Sequence, residues 1–450
     1  MSDGLQRVLR ARDVVALAFG AMVGWSWVVL VGDWVQTGGA LGAVAAFAAG
    51  GAAIAVIGLT YAELSSAMPE VGGEHVYSER ALGRGASFVC TWAIVFGYVS
   101  VVAFEAVALP VALDALLPGL EAGYLYSVSG WDVHATWVAV GALGAVVMMA
   151  LNVVGIRPAA VAQTAATAVI LAAGLLLLGG AAFGSRPEAG QAIDWGFSSD
   201  GLLRVLVMVP FLFVGFDVIP QAAEEIDVPP RRIGSLLMLS VALAVVWYVG
   251  IVVAVTVGLP ASRLQGAEVA TAETATSLFG SPFFGQLIVL AGVAGILTSW
   301  NSFLVGGSRA IFALAQAGLL PRVLSELHPR TRAPVNAILM VGALSVVAPF
   351  FGRPALVWLV NAGGLGIVTA YAFVAVSFLV LRRREPELER PFRVPAGDAV
   401  GTLALLLSLG LFVLYLPGSP AALVWPQEWL LVLVWVLLGA ALFAASLRSS

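Results

Sequence analysis

Lysine is absent from the 450-residue chain, so all 22 of its cationic side chains are arginine. Cysteine occurs once, at Cys90, which excludes an internal disulfide framework. The three histidines, His75, His134 and His328, lie far apart, so a cluster of His and Cys metal ligands is not expected. Charge is scarce as well. Only 11% of residues are charged, against ~25% in an ordinary soluble domain. A net charge of -4 offers no basic stripe to a nucleic acid. No phosphate-cradling glycine loop is present, which excludes ATP-driven pumping as an intrinsic property. The polar linkers that would divide a soluble chain of this length into domains are missing too.

What the chain has instead is apolar length. It is 60% hydrophobic, with a mean hydropathy of +0.99 that cannot be spread over a water-facing surface. A bilayer core of ~30 Å takes about 20 apolar residues per helix. Twelve such stretches occur: 14–36, 40–66, 86–116, 134–155, 159–183, 202–224, 233–259, 284–314, 333–351, 355–381, 399–416 and 427–447. A spanning segment must satisfy its backbone internally, so the expectation is an all-α membrane protein with twelve transmembrane helices. Segments 86–116 and 284–314 exceed one bilayer and should tilt or extend into water.

Orientation follows from arginine. With twelve spans, eighteen arginines fall on the side of the two termini, and Arg186, Arg204, Arg263 and Arg353 fall on the other. The positive-inside rule then places both termini in the cytoplasm of a multi-pass protein of the cell (inner) membrane. The basic segment MSDGLQRVLRARD enters the first span without a small-residue cleavage site, so it reads as an inside flank rather than a removable signal. The outer segment 184–201 separates the first five spans from the next five. Residues 260–283 are expected to form a short re-entrant or surface helix, with a plain loop as the alternative.

Two spans are poorly made as helices. Gly20 and Gly24 fall mid-span in the first, and Pro210 and Pro220 bracket Val214-Gly215-Phe216-Asp217 in the sixth. Proline removes a donor and glycine frees the backbone. Interruptions at corresponding positions of two halves point to a transport site of the inverted-repeat kind. An unwound turn there exposes N–H groups to an anionic group and carbonyls to a cation.

These residues resemble the amino acid–polyamine–organocation (APC) superfamily. Gly20-Ala21-Met22-Val23-Gly24 is similar to its broken first helix. Tyr61-Ala62-Glu63-Leu64, followed by Pro69 to Tyr77, is similar to its second-span exit and first loop. Gly215-Phe216-Asp217 with Ala222 to Glu225 resembles the sixth span, and Asn301, Ser308-Arg309 and Ala313 to Gly318 the eighth. The likeness runs over about residues 12–395. It implies a 5+5 inverted-repeat core with broken helices 1 and 6 plus two extra helices, carrying amino acids or amines. The organisation expected is a cytoplasmic N-terminus (1–13), repeat 1 (14–183), repeat 2 (202–381), two further helices (399–447) and a cytoplasmic C-terminus (448–450). Many relatives carry a lysine in the fifth span; the register places Ile170 there.

Ionisable groups inside a membrane are costly, so each needs a reason. Asp33, Glu63, Glu105 and Asp217 fall within spans, and this acidic interior favours a cationic cargo or coupling ion. Asp217 is a candidate ammonium partner or gate, with a cap for the second half-helix as the alternative. Glu105 is a candidate proton carrier or substrate contact, or else a neutral core acid. Asp33 could recruit cations or simply sit at the interface, and Glu63 is expected to partner inner-loop arginine. Trp25 and Trp27 could box an ammonium against indole faces or pack on neighbours. The candidate substrate residues are Val23, Gly24, Trp25, Ser26, Trp27, Glu105, Phe213, Gly215, Phe216 and Asp217, with Phe216 also a gate. Gly295, Thr298 and Ser299 share one helix face. In sodium-coupled relatives a similar trio joins two carbonyls of the broken first helix, which by resemblance nominates Gly20 and Val23 for a Na+ cage.

The expected function is a secondary active transporter of an amino acid or cationic amine, working by alternating access and coupled to Na+ or H+. An exchanger or uniporter is the alternative, and a channel or membrane sensor stands as the reading from another class. An enzyme is not expected, because the histidines fall at loops or span ends with no nucleophile–base pair. No organic cofactor is expected. The partners are a small molecule and the lipid bilayer, not nucleic acid, and the carrier should be a monomer or homodimer.

Overall fold

A computed structural model describes residues 5–117, 119–184, 193–267 and 269–449. Residues 1–4, Arg186 with most of its loop, Glu268 and the Arg448 side chain, all used in the sequence-based assignment above, lie outside what is described. The protein is mostly helical. Helix α1 (Ala11–Met22) starts where the Arg10 N–H donates to Asp13 at 3.0 Å. It stops at Val23, and α2 (Ser26–Val29) resumes the rise. Helix α3 (Val31–Ala67) is two helices joined at Gly39, whose φ of 71° reverses the chain. A side chain there would run into the Gly196 carbonyl, so only glycine fits. Spans 14–36 and 40–66 therefore meet at one residue.

Helix α4 (Glu74–Leu82) lies between spans, and α5 (Arg84–Leu116) carries Pro110 without breaking. Strands β1 (Tyr124–Val128) and β2 (Trp131–His134) form an antiparallel hairpin before α6 (Ala135–Val154) and α7 (Ile156–Phe183). The hairpin corrects the all-α expectation. Its turn, Ser129-Gly130, has φ of 48° and 80°, the left-handed geometry that matches strand twist, and it closes a Tyr/Trp-rich segment.

The sixth span is interrupted at residues 214–217, as expected, and once more before Pro210. Residues 202–224 divide into α8 (Ser199–Leu206), α9 (Val209–Phe213) and α10 (Val218–Gln221). Pro210 opens α9 at its first turn, where a missing N–H costs nothing, so the chain turns before it rather than kinking at it. Beyond α11 (Pro230–Gly258), short α12 (Ala261–Leu264) and α13 (Ala270–Phe279) settle residues 260–283 as helical rather than a plain loop. The chain continues through α14 (Pro282–Gln316), α15 (Val335–Val347) with a 3-10 turn, α16 (Ala355–Arg384), α17 (Gly397–Leu414) and α18 (Gln427–Ser449).

Among the described residues nine helices are long and apolar enough to cross a membrane, and the molecule is a multi-pass membrane protein. Its centre is α5 and α14, whose apolar stretches are 89% and 78% buried, while α18 at 17% lies outermost. Segments from other parts of the chain cross both ends of the central pair. On the Arg-rich face the segment before α1 pairs with the chain after α10, where Val8 and Leu9 N–H donate to the Glu225 carbonyl at 2.9 and 2.8 Å. Glu225 in turn takes a bidentate grip from Arg309 of α14 at 2.8 and 2.9 Å, both side chains buried. On the opposite face α13 covers α2, with Thr271 donating to the Val28 carbonyl at 2.9 Å.

Candidate functional site

The two breaks touch. Gly215 has φ of 134°, and a Cβ there would stand 2.6 Å from Ala21 Cβ and 3.1 Å from the Met22 nitrogen. Val214 leaves α9 in an extended conformation, so the chain from Val214 to Asp217 is unwound beside the unwound Val23 to Trp25. Tyr248 of α11 ties the two together. Its hydroxyl donates to the Met22 carbonyl at 2.6 Å, stands 2.9 Å from the Ser26 hydroxyl, and lies 3.5 Å from the Leu212 carbonyl. Phe47, Phe213 and Trp34 pack around its ring, with Phe47 stacked at 5.0 Å.

Glu105 reaches this junction from α5. A Cβ on Gly24 would stand 2.6 Å from Glu105 Oε1 and 3.0 Å from Ser299 Cβ, so glycine is what lets the carboxylate and α14 approach the first break. The Ser299 hydroxyl faces Glu105, whose Oε2 is buried with no hydrogen-bond partner. No arginine accompanies it. A buried carboxylate with a spare oxygen beside unwound backbone has the charge and the free acceptor to meet a positive group.

The other candidates separate from this junction. Trp25 packs against Gly292 of α14, and Trp27 meets Trp247 edge-on at 5.2 Å, in a group that includes Phe19. Phe216 lies on the Arg-rich side of the break, between Tyr61 (5.3 Å) and Tyr371 (5.6 Å). Asp217 Oδ1 accepts from the Gly215 N–H behind it at 2.7 Å, and makes no side-chain cap for α10. Its neighbours are Tyr98, Tyr61, Tyr371 and Glu74, not the first break. Asp33 is exposed near Arg353. Glu63 is fully buried, and Arg382 and Arg390 grip it at 2.5 and 3.0 Å.

The nominated Na+ ligands split into two sets. The Thr298 hydroxyl lies 3.0 Å from the Gly20 carbonyl and 2.9 Å from the Gly295 carbonyl, gathering both, and a Cβ on Gly295 would be 3.2 Å from the Val23 carbonyl. Ser299 belongs with Glu105. The Thr298 hydroxyl and the Gly20 and Gly295 carbonyls, with the Val23 carbonyl beside Gly295, are hard oxygen donors of the kind an alkali cation takes. Ile170 is buried among apolar side chains and is not the α7 residue at this point. Gln163 and Thr167 are: a Cβ on Gly20 would stand 2.6 Å from the Gln163 amide and 2.9 Å from the Thr167 hydroxyl. Gln163 donates to the Ala16 carbonyl (3.0 Å) and to Ser302 (3.1 Å) and accepts from Asn301 (3.0 Å), which accepts from Asn152 (3.0 Å). Gln163, Thr167, Tyr248 and Asn301 are thus the polar residues that sequence reasoning left out of the site.

Interrupted helices meeting at a buried, unpaired acid define a membrane permease. The chain matches the amino acid permease family over residues 9–438 and belongs to it. It is 25% identical to the methylthioribose transporter of Bacillus subtilis over 98% of this chain and 94% of that one. It is 26% identical to the branched-chain amino acid permease BcaP of the same bacterium, over 91% and 88% of the two chains. A vacuolar cationic amino acid transporter of Arabidopsis thaliana is 26% identical over 89% of this chain and 64% of its own.

Proposed function

We propose that the protein is a secondary active transporter that carries an amino acid or related cationic amine by alternating access about the two breaks, coupled to Na+ or H+. The observation that carries this is the junction itself: Gly24, Ser26, Glu105, Ser299 and Tyr248 converge, all buried, where α1 and α9 end. Glu105 is the partner for the substrate ammonium, and the N–H groups of Gly24 to Trp27 suit a carboxylate. The carriage of branched-chain and cationic amino acids by the similar permeases supports an amino acid cargo. Each half of the chain begins with an interrupted helix, α1–α2 and α8–α10, which supports a 5+5 inverted repeat with α17 and α18 added, and twelve spans in all. The arginine asymmetry supports cytoplasmic termini in the inner membrane. The carrier works as a monomer or homodimer.

Two features are offered to a coupling ion. The Thr298-centred carbonyls would hold Na+, and a carboxyl could hold H+. In proteoliposomes, labelled L-leucine or L-arginine should show saturable counterflow, and an imposed Na+ or H+ gradient should accelerate uptake. Absence of counterflow across a panel of amino acids and amines overturns the proposal, and unitary conductance would replace it with a channel.

A further inference from the structure

A pair of acids apart from the Glu105 junction lies on the Arg-rich side of the sixth-span break. Glu74 opens α4, and Asp217 immediately precedes α10; both are fully buried and within reach of each other's charge. Glycine makes the approach. Gly72 and Gly73, with φ of 98° and 36°, fold the loop onto α10, where the Gly72 N–H donates to the Gln221 carbonyl at 3.3 Å and a Cβ on Gly73 would stand 2.9 Å from Pro220.

Five of the elements around the pair contribute a polar group, α14 meets it with Gly306, and among the described residues no arginine acts on either acid. Tyr61 comes from α3, Cys90 and Tyr98 from α5, Tyr371 from α16, Gln221 from α10 and Tyr77 from α4. One oxygen of each acid is satisfied: Glu74 Oε2 accepts from the Gln221 amide and Asp217 Oδ1 from the Gly215 N–H. The remaining atoms are not. Tyr61 faces Glu74 and Tyr98 faces Asp217, but Glu74 Oε1, Asp217 Oδ2, Gln221 Oε1 and the hydroxyls of Tyr61, Tyr98 and Tyr371 are all buried short of well-formed hydrogen-bond geometry. The nearby guanidiniums are occupied elsewhere, Arg309 on Glu225 and Arg382 and Arg390 on Glu63. Two carboxylates in such a place cannot both be ionised without a cation between them. Side chains pack closely here, with Val218 and Tyr98 both against Gly306, and a proton is the cation that needs no room.

We propose that Glu74 and Asp217 hold one exchangeable proton between them, and that this pair is the station through which a coupling proton leaves the break for the Arg-rich face. The inference rests on the transporter reading and deepens it by choosing H+ as a driving ion. Tyrosine hydroxyls donate and accept at once, so a proton leaving Asp217 Oδ2 can enter a hydroxyl as that hydroxyl's own proton passes to Glu74 Oε1. Asp217 ends ionised, Glu74 neutral and the tyrosine unchanged. Burial, and then the Asp217 charge, push the Glu74 carboxyl well above the usual carboxylate range, so it accepts readily. The way out is adjacent: a cavity of about 400 Å³ on this face is lined by His75, the next residue, with Glu70, Glu79 and Glu224 and with Arg80, which is paired to Glu385.

The test uses the full chain in proteoliposomes with labelled L-leucine and L-arginine and an internal pH dye. In Glu74→Gln, counterflow at equal pH should stay within about twofold of wild type. Uptake driven by an acid-outside gradient, with its dye signal, should fall about tenfold or more, as expected for a broken proton relay. Glu74→Asp should restore both. Unchanged gradient-driven uptake in folded Glu74→Gln overturns the inference and leaves the transporter intact, as does loss of counterflow and gradient uptake together in that variant alone. If the variant fails to fold, the wild type decides: uptake indifferent to the pH gradient overturns the inference. No counterflow in wild type overturns the transporter reading itself.

Discussion

Acids on the Arg-rich face and acids at the breaks meet opposite fates. Glu225 is held by Arg309, and Glu63 by Arg382, Arg390 and the Val394 N–H, each carboxylate fully answered in charge and in hydrogen bonds. Glu105, Asp217 and Glu74 are equally buried, yet among the described residues no arginine reaches them, and each keeps an oxygen with at best a neutral hydroxyl beside it. The first set fixes helices to one another; the second leaves room for a charge that arrives from outside the chain. A protein of this composition carries few charges, and the difference shows where it spends them on structure and where it withholds the partner.

The sharpest way to break that comparison is to create at the first region what the second already has. Removing one partner of a buried ion pair strands the other and costs about 3–5 kcal/mol. Arg309→Ala should therefore lower thermal stability in detergent more than any change at the breaks, and the apolar pair Arg309→Met with Glu225→Leu should recover most of the loss. If the single variant melts like wild type, the lock is not structural. The converse at the second region is Glu105→Gln, which should leave the melting temperature near wild type. It should weaken substrate binding by the worth of a hydrogen bond to a charged group, about 1.5–3 kcal/mol, or roughly ten- to a hundredfold. Substrate-dependent thermal stabilisation measures this directly, and undiminished stabilisation removes Glu105 from the site.

Tyr248 sharpens the comparison on a smaller scale, because it bonds to backbone where the helices end rather than to a charge. Tyr248→Phe should cost about 1 kcal/mol of stability, the net worth of one such bond, and should slow counterflow if the hydroxyl holds Met22 and Ser26 in place. A wild-type rate would make the bond incidental.

The apolar runs made the helices legible, and glycine and proline made the breaks legible, because both act through local backbone chemistry. What escaped was set by packing between segments distant in sequence. Gln163 and Thr167 stand one turn apart on α7, a spacing visible in the sequence, but which turn faces Gly20 depends on how α7 lies against α1. Tyr248 is a polar tip in an apolar span, a signal present in the sequence itself. Glu74 looks like a solvated loop acid until Gly72 and Gly73 fold it beneath α10. Trp25 and Trp27 lie at the break in sequence, yet their rings pack on Gly292 and Trp247.

The smallest effect belongs to His75, whose place between the two regions makes it a measure of how dry the boundary is. Its Nδ1 is 2.6 Å from the Ser87 hydroxyl and its Nε2 3.3 Å from Glu79. Burial lowers its pKa from 6.5, Glu79 opposes that, and Arg84 adds to it. The folded protein therefore holds this imidazole neutral at pH values where the unfolded chain has already bound a proton. Protons then favour the unfolded state, so the stability contributed by a neutral His75 is present above pH 6.5 and is lost as pH falls through that value. Replacing it by asparagine should flatten the part of the melting curve's pH dependence that lies just below 6.5, by a fraction of what Arg309→Ala removes. A stability that instead rises on acidification in wild type, and not in His75→Asn, would mean that Glu79 outweighs burial and that water reaches this edge of the Glu74 pocket.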